Sequence, residues 1–183
     1  SEIDNIEISG GTYEQPRLLG LDKVSINPKR SENRKESTIA REAYFLSYAE
    51  EIAKVVNIPL MVTGGFRTKE GMEAALADGA CEIVGVGRPL CANPYAIKEL
   101  LAGQIDELPK YEKTLSIGPW WLSPTSPFRL IQAINAFSAQ AWFYQQIKKM
   151  GKGLMPDLTL KPWKAFREDA KADQEAIKEY QNF

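Results

Sequence analysis

The sequence predicts an α/β protein with a parallel sheet, and two observations lead to this prediction. The apolar runs at residues 60–63 and 82–86 are short and continuous rather than alternating, which is typical of parallel strands that are buried on both faces. Helical patterns of apolar residues alternate with these runs, and the connections from helix to strand are short. Strands and helices in this order usually form βαβ units.

The first half of the chain is predicted to run strand, helix, strand, helix, strand, helix. The strands are expected at residues 3–9, 60–63 and 82–86, and the helices at residues 40–57, 69–78 and 93–103. Thr68 is the expected N-cap of the second helix and Gly79 its left-handed C-terminal glycine. Asn93 and Pro94 are expected to begin the third helix as cap and first-turn proline. The side chains expected to face inward are Met72, Ala75 and Leu76 in the second helix, and Ile97, Leu100 and Leu101 in the third.

The remaining segments differ in character from these units. Residues 12–38, which carry a run of mixed charges, are predicted to form a long loop. Residues 109–127 form an aromatic loop with Trp120 and Trp121, and residues 164–183 form a charged helix or frayed tail. A long helix is predicted at residues 129–150, where one side carries Leu130, Ile134, Phe137, Ala141 and Tyr144. We therefore expect two parts, residues 1–105 with the βα units and residues 106–183 with helices that cover the sheet or mediate oligomer contacts.

Composition and charge exclude several classes of function. The net charge of −1 gives no electrostatic reason to expect nucleic acid or an anionic membrane as a partner. The apolar stretches are too short to span a bilayer, and no signal-peptide pattern opens the chain. Cys81 begins an apolar run and is expected to be a buried thiol, so a reducing, cytoplasmic setting is the default expectation.

Two absences also shape the predicted chemistry. The chain contains no histidine, which excludes imidazole as a base, metal ligand or pH switch supplied by this chain. The sequence opens at Ser1 without a methionine and runs almost at once into a strand, as a fragment or a processed product would. We therefore assign neither a catalytic residue nor a metal site.

The candidate binding residues lie where two predicted strands end. The first strand end is Thr63-Gly64-Gly65, and the second is Gly85-Val86-Gly87-Arg88. Backbone N–H groups of Gly64, Gly65, Gly87 and Arg88 could point at phosphate oxygens, and the Arg88 guanidinium could add a bidentate contact. In the alternative interpretation, the glycines only form tight turns and Arg88 pairs with an acid. Glu7, within the first strand, is expected to pair with a neighbouring strand, although in a barrel it could be a carboxylate of the interior or of the top rim. Neither a Walker loop nor a dinucleotide fingerprint is present.

Three segments together resemble the end of an old yellow enzyme barrel, in its fungal and bacterial NADH:flavin oxidoreductase branch. They are residues 62–68 (VTGGFRT), residues 71–81 (GMEAALADGAC), and residues 84–89 (VGVGRP) with Asn93-Pro94. The opening residues 6–14 and residues 41–45 fit the same branch. The resemblance implies a partial (β/α)8 TIM barrel, namely the last three βα units followed by C-terminal helices. It also implies FMN as cofactor, held through its phosphate by Gly64, Gly65, Gly87 and Arg88.

The family's reaction passes hydride from NAD(P)H to the flavin and then to a small electron-poor substrate. By this alignment the chain starts at the sixth strand, so the groups that orient flavin ring and substrate have no counterpart here. Three hypotheses follow. The chain is the C-terminal part of an FMN-dependent oxidoreductase, or a truncated noncatalytic product that associates, possibly as a homo-oligomer, through open sheet edges or its C-terminal helices. The third is another phosphate-binding barrel enzyme, such as a sugar-phosphate isomerase.

Overall fold

The fold contains a three-stranded parallel sheet with helices packed against it. The structure is a computed structural model that describes residues 3–9 and 46–181. The sheet has the order β1-β2-β3, with β1 at Ile6–Ser9, β2 at Leu60–Thr63 and β3 at Ile83–Gly85. This arrangement confirms the predicted α/β class and parallel sheet. The predicted loop at residues 12–38 and the beginning of the helix predicted at residues 40–57 lie outside the described residues.

Helices follow the strands in the predicted alternation. The helices of the first half are α1 at Leu46–Ala53, α2 at Lys69–Ala77, α3 at Arg88–Ala92 and α4 at Ala96–Leu101. Two 3-10 turns follow at Tyr111–Lys113 and Trp120–Leu122, and two long helices, α5 at Arg129–Gly151 and α6 at Pro162–Gln181, complete the described chain. None of the helices in the described ranges is both long enough and apolar enough to cross a membrane.

The two faces of the sheet differ in burial. One face carries Ile6, Ile8, Leu60, Val62 and Val84. Ile6 pairs in register with Leu60, and Ile8 pairs with Val62, which in turn pairs with Val84. These side chains pack with α1 and α2 residues into a core that includes Leu46, Ala49, Phe66, Ala75, Ala80 and Cys81. The buried position of Cys81 confirms that prediction. The opposite face carries Glu7, Met61 and Ile83, which are exposed or half-buried.

Helix α2 begins as its sequence predicts. The Thr68 hydroxyl accepts a hydrogen bond from the amide of Gly71 at 3.1 Å, which satisfies one of the unpaired N–H groups of the first turn. Gly79, with φ of 68°, stands just beyond the last turn, and its amide donates to the carbonyl of Leu76. The inward face was predicted less well. Ala75 is fully buried and Met72 packs partly buried against the core, but Leu76 is 44% exposed, and Gly71 is buried in addition.

The segment after β3 corrects the prediction of one helix that begins at Asn93. Two helices are present, and the first, α3, begins at Arg88 with Pro89 in its first turn, where the missing N–H of proline has no cost. Pro94 then separates α3 from α4, whose N-cap position is Tyr95 and carries no side-chain cap. Leu100 of α4 is buried as predicted, whereas Leu101 is 67% exposed.

The described residues form two compact units, residues 3–9, 46–90 and 94–110, and residues 91–93 and 111–181. In the second unit α5 packs against α6, with a core of Ala92, Leu115, Ala141, Trp142 and Ala165. The predicted extent of α5 is confirmed to within a residue at its C-terminal end. Of the side named from the sequence, Ala141 is buried, whereas Leu130, Phe137 and Tyr144 are exposed. The buried residues of α5 are Asn135, Ala136, Ser138, Ala141, Trp142 and Gln146.

Candidate phosphate-binding edge of the sheet

Two adjacent strands end at the same edge of the sheet, and the candidate residues follow them directly. Thr63, the last residue of β2, pairs in register with Gly85, the last residue of β3. Because the strands are parallel, the turn that begins at Gly64 and the turn that leads to Gly87 leave the sheet side by side. We call this region the glycine edge; it comprises residues 63–68 and 85–89. In parallel α/β folds the carboxyl edge of the sheet is where ligands bind.

Gly64 and Gly65 have backbone conformations that only glycine adopts readily. Their φ angles are 129° and 87°, in the region where a β-carbon would clash with the backbone. A turn of this kind reverses the chain immediately after β2 and leaves the backbone without side chains. The sequence predicted a turn here, and the structure shows why glycine is needed at both positions.

Gly87 has a different reason for being glycine. Its φ does not lie in the left-handed region, and a β-carbon built there would meet no atom within 4 Å. Within the described residues, neither backbone strain nor packing therefore requires a glycine at this position. Open space beside a backbone amide is what a ligand that approaches the main chain closely would need.

Arg88 is the first residue of α3, directly after this open position. In the first turn of this helix the Leu90 amide donates a hydrogen bond of 2.9 Å to the Gly87 carbonyl. Arg88 is half-buried. The structure thus places a guanidinium group in the same short segment as Gly87.

A polar contact crosses the exposed face of the sheet just below the glycine edge. The Thr63 hydroxyl donates to Oε1 of Glu7 on the neighbouring strand, at 2.7 Å. This contact confirms that Glu7 pairs with a neighbouring strand, and its partner is a hydroxyl group. The Thr63 side chain also covers Gly85, where a β-carbon would lie 1.8 Å from Thr63 Oγ1. Gly85 is therefore a packing requirement rather than a turn residue.

Sequence reasoning missed Arg67 as a residue that holds the first turn. Its side chain is buried, and Nη1 donates to the carbonyl of Phe66 at 2.8 Å. The Arg67 carbonyl accepts from the amide of Leu108 at 2.7 Å, and Thr68 forms an antiparallel bridge with Glu107. The turn after β2 is therefore fastened at its far end. The only signal in the sequence was an arginine directly after an apolar residue.

The glycine edge combines backbone N–H groups with a guanidinium, and groups of both kinds bind phosphate in proteins. The chain has no histidine, and in the described ranges no three His, Cys, Asp or Glu side chains come together as a metal site would need. Burial raises the pKa of the Cys81 thiol, with Glu82 adding to the shift, so this cysteine stays protonated at neutral pH and is a poor nucleophile.

Comparison with curated proteins finds relatives with flavin or NADH in their names. The chain is 44% identical over 101 residues to an NADH-dependent flavin oxidoreductase of Hypocrea jecorina, covering 54% of this chain and 23% of the relative. It is 30% identical over 154 residues to an NADH-dependent flavin oxidoreductase of Talaromyces variabilis, covering 82% and 34%. It is 31% identical over 145 residues to an NADH oxidase of Thermoanaerobacter brockii, covering 79% and 20%.

These alignments cover between 20% and 34% of each relative's length, while two of them include most of the present chain. A scan of protein-family models gives no match.

Proposed function

The chain belongs to the NADH-dependent flavin oxidoreductases, of which it spans a part, and from this premise we propose that it supplies the FMN-phosphate-binding part of an FMN-dependent NAD(P)H oxidoreductase. The substrate would be a small electron-poor compound, and the sheet would be completed to a (β/α)8 barrel by further strands. In this proposal Gly64, Gly65, Gly87 and Arg88 hold the phosphate.

One observation carries the proposal, namely that two strand ends lie side by side, one followed by the turn at Gly64 and Gly65 and the other by Gly87, which faces open space. Gly64 and Gly65 turn the chain with left-handed backbone angles, and Gly87 leaves open space beside the residue that begins α3. A phosphomonoester carries two negative charges near neutral pH, and the neighbouring Arg88 supplies positive charge and paired donors.

Bound FMN would supply the hydride chemistry, and the residues of this chain would hold its phosphate end in place. The N–H groups of the two turns would donate to phosphate oxygens, and Arg88 would neutralise charge. Arg67 would act indirectly, because its hydrogen bond to the Phe66 carbonyl and the backbone hydrogen bond that its own carbonyl accepts from Leu108 hold the first turn in place. Binding and orientation are therefore the contributions that we assign to these residues.

The proposal predicts that Arg88→Ala weakens binding of FMN but not of riboflavin, which lacks the phosphate. We expect the dissociation constant of FMN to rise about tenfold or more, as loss of a charge-assisted contact of about 1.5–3 kcal/mol implies. Flavin fluorescence titration of the protein in its full-length form measures both ligands. Lys98→Ala, which removes an exposed cation on α4, is the matched control and should leave both affinities unchanged.

Two results would contradict this assignment. Equal weakening of FMN and riboflavin would place Arg88 away from the phosphate, and unchanged FMN affinity would remove it from the site. Binding of FMN by the wild-type protein with no preference over riboflavin would contradict the phosphate-binding role of the whole glycine edge.

A second candidate function is that of a noncatalytic chain which associates through its sheet. It is favoured by the open face that carries Glu7, Met61 and Ile83, and by β1 and β3, each of which has one strand neighbour among the described residues. Exposed strand edges can pair with another chain. A protein that takes up no added FMN and self-associates through these edges would favour this candidate over the first.

A further inference from the structure

The chain returns to the glycine edge after helix α4. Gly103, with φ of 68°, follows this helix in the left-handed conformation, and its amide donates to the carbonyl of Leu100. Residues 105–108, which come next, pair with the end of the turn after β2, and we call them the return segment. Within it Glu107 forms an antiparallel bridge with Thr68, the N-cap of α2. The return segment is therefore attached to the place where the first turn ends.

Leu108 holds the first turn of the glycine edge through its backbone. Its amide donates a hydrogen bond of 2.7 Å to the carbonyl of Arg67, which follows Gly65 and Phe66 in that turn. Pro109 comes directly after Leu108 and biases it toward extended backbone, the conformation that pairing with another segment requires. Because Leu108 is fully buried, the bond lies away from water, where a hydrogen bond is electrostatically stronger.

The side chain of Leu108 belongs to the apolar cluster that supports the second turn. It forms this cluster with buried alanine and leucine side chains of α4. Val86 and Leu90, both partly buried, pack against the same cluster. These two residues flank Gly87 and Arg88 in the sequence, so their packing holds both ends of the segment that carries the second pair of candidate phosphate donors. The amide and the side chain of one residue thus serve different turns of the same site.

We propose, on the premise that the glycine edge holds the FMN phosphate, that Leu108 is a positioning residue which fixes the two turns of this edge relative to each other. Its amide holds the turn after β2, and its side chain supports the segment after β3. A phosphate group that accepts hydrogen bonds from both turns needs them at a set spacing, and turns that are held in advance lose less freedom when the ligand binds. Leu108 itself would not touch FMN.

Leu108→Ala should weaken the binding of FMN but not of riboflavin, because the cavity it leaves loosens the turns that face the phosphate. In flavin fluorescence titrations of the protein in its full-length form, we expect the FMN dissociation constant to rise about three- to tenfold. Leu108→Val, which removes one methylene and is the milder change for folding, should shift FMN binding in the same direction by a smaller factor. Leu115→Ala opens a matched cavity in the core of the second unit and should leave both affinities unchanged.

A double-mutant cycle with Arg88→Ala separates positioning from a general loss of stability. If Leu108 acts by holding the phosphate donors in place, Leu108→Ala should weaken FMN binding by a smaller factor once Arg88 is already replaced, about threefold smaller or more. Independent effects that multiply in full, equal weakening of FMN and riboflavin, or unchanged FMN affinity in both Leu108 variants would overturn the positioning role. Wild-type protein with no preference for FMN over riboflavin would instead overturn the phosphate-binding function on which this role depends.

Discussion

At the scale of single residues, Asp157 in the second unit is held by hydrogen bonds to its side chain and to its backbone. Its carboxylate accepts hydrogen bonds from Lys149 Nζ at 2.8 Å and from the amide and hydroxyl of Thr159 at 3.0 and 2.6 Å. Its backbone amide and carbonyl are held by the side-chain amide of Gln146. The hydrogen bond from Lys149, followed by the two from Thr159, lowers the pKa of Asp157 well below its usual range.

Asp157→Asn should destabilise the chain at pH 7 and lose this effect in acid. A depressed folded-state pKa stabilises above the unfolded pKa, near 3.8, and that contribution is lost as pH falls below it. The difference between wild type and variant in the urea midpoint should therefore shrink between pH 5 and lower values. Asp173→Asn, which removes an exposed carboxylate of α6, is the matched control for the substitution.

Ser138 is a buried serine of α5. Its side chain is fully buried in α5, and among the described residues its hydroxyl has no hydrogen-bond partner. Because an unsatisfied buried hydroxyl is costly, Ser138→Ala should raise the free energy of unfolding by about 1 kcal/mol.

A second buried serine gives the matched comparison for Ser138. Ser126 is 1% exposed, and its hydroxyl accepts from the amide of Phe128 at 3.2 Å. Ser126→Ala should therefore lower stability, and urea unfolding of both variants measures the two signs. Equal losses in the two variants would contradict the interpretation of Ser138 as unsatisfied.

At the scale of elements, β2 and β3 are joined through the pair Thr63 and Gly85. Gly85→Ala would push a methyl group against the Thr63 side chain and against Met61, whose terminal carbon would lie 2.7 Å away. We expect a loss of about 1–3 kcal/mol in the free energy of unfolding, the usual cost of overpacking.

The control for Gly85→Ala is a glycine that faces open space. Gly151, the last residue of α5, has no atom within 4 Å of a β-carbon position. Gly151→Ala should not destabilise the chain, because alanine favours the helix. If both substitutions had the same effect on the urea midpoint, the close contact at Gly85 would not be the cause.

The helices and strands also show which features the local sequence predicts and which it does not. The limits of β2 were predicted correctly because an apolar run stands between Pro59 and two glycines. The cap of α2 was predicted because Thr68 precedes a helical pattern. The break between α3 and α4 was missed, since Asn93-Pro94 looks locally like the start of a helix, whereas the chain had already entered α3 at Arg88.

At the scale of the whole molecule, the sheet is covered on one face among the described residues and open on the other. Apolar side chains of β1 and β2 pack with α1 and α2, while Glu7 and Met61 point away from them. This arrangement is consistent with a segment of a βα barrel, in which the second face lines the interior. The partial barrel, like the division into parts at residue 105, stays a prediction.

The sequence by itself determined the elements and the residues that end them, because turns, caps and helix breaks depend on neighbours along the chain. It therefore placed Gly64, Gly65, Gly87 and Arg88 after two strands and indicated the family. Tertiary structure alone decided which side of α5 is buried, because Trp142 and Gln146 find partners at Leu160 and Asp157, distant in sequence. It also decided that Thr63 packs over Gly85 and donates a hydrogen bond to Glu7. Both contacts exist only once the parallel strands are in register.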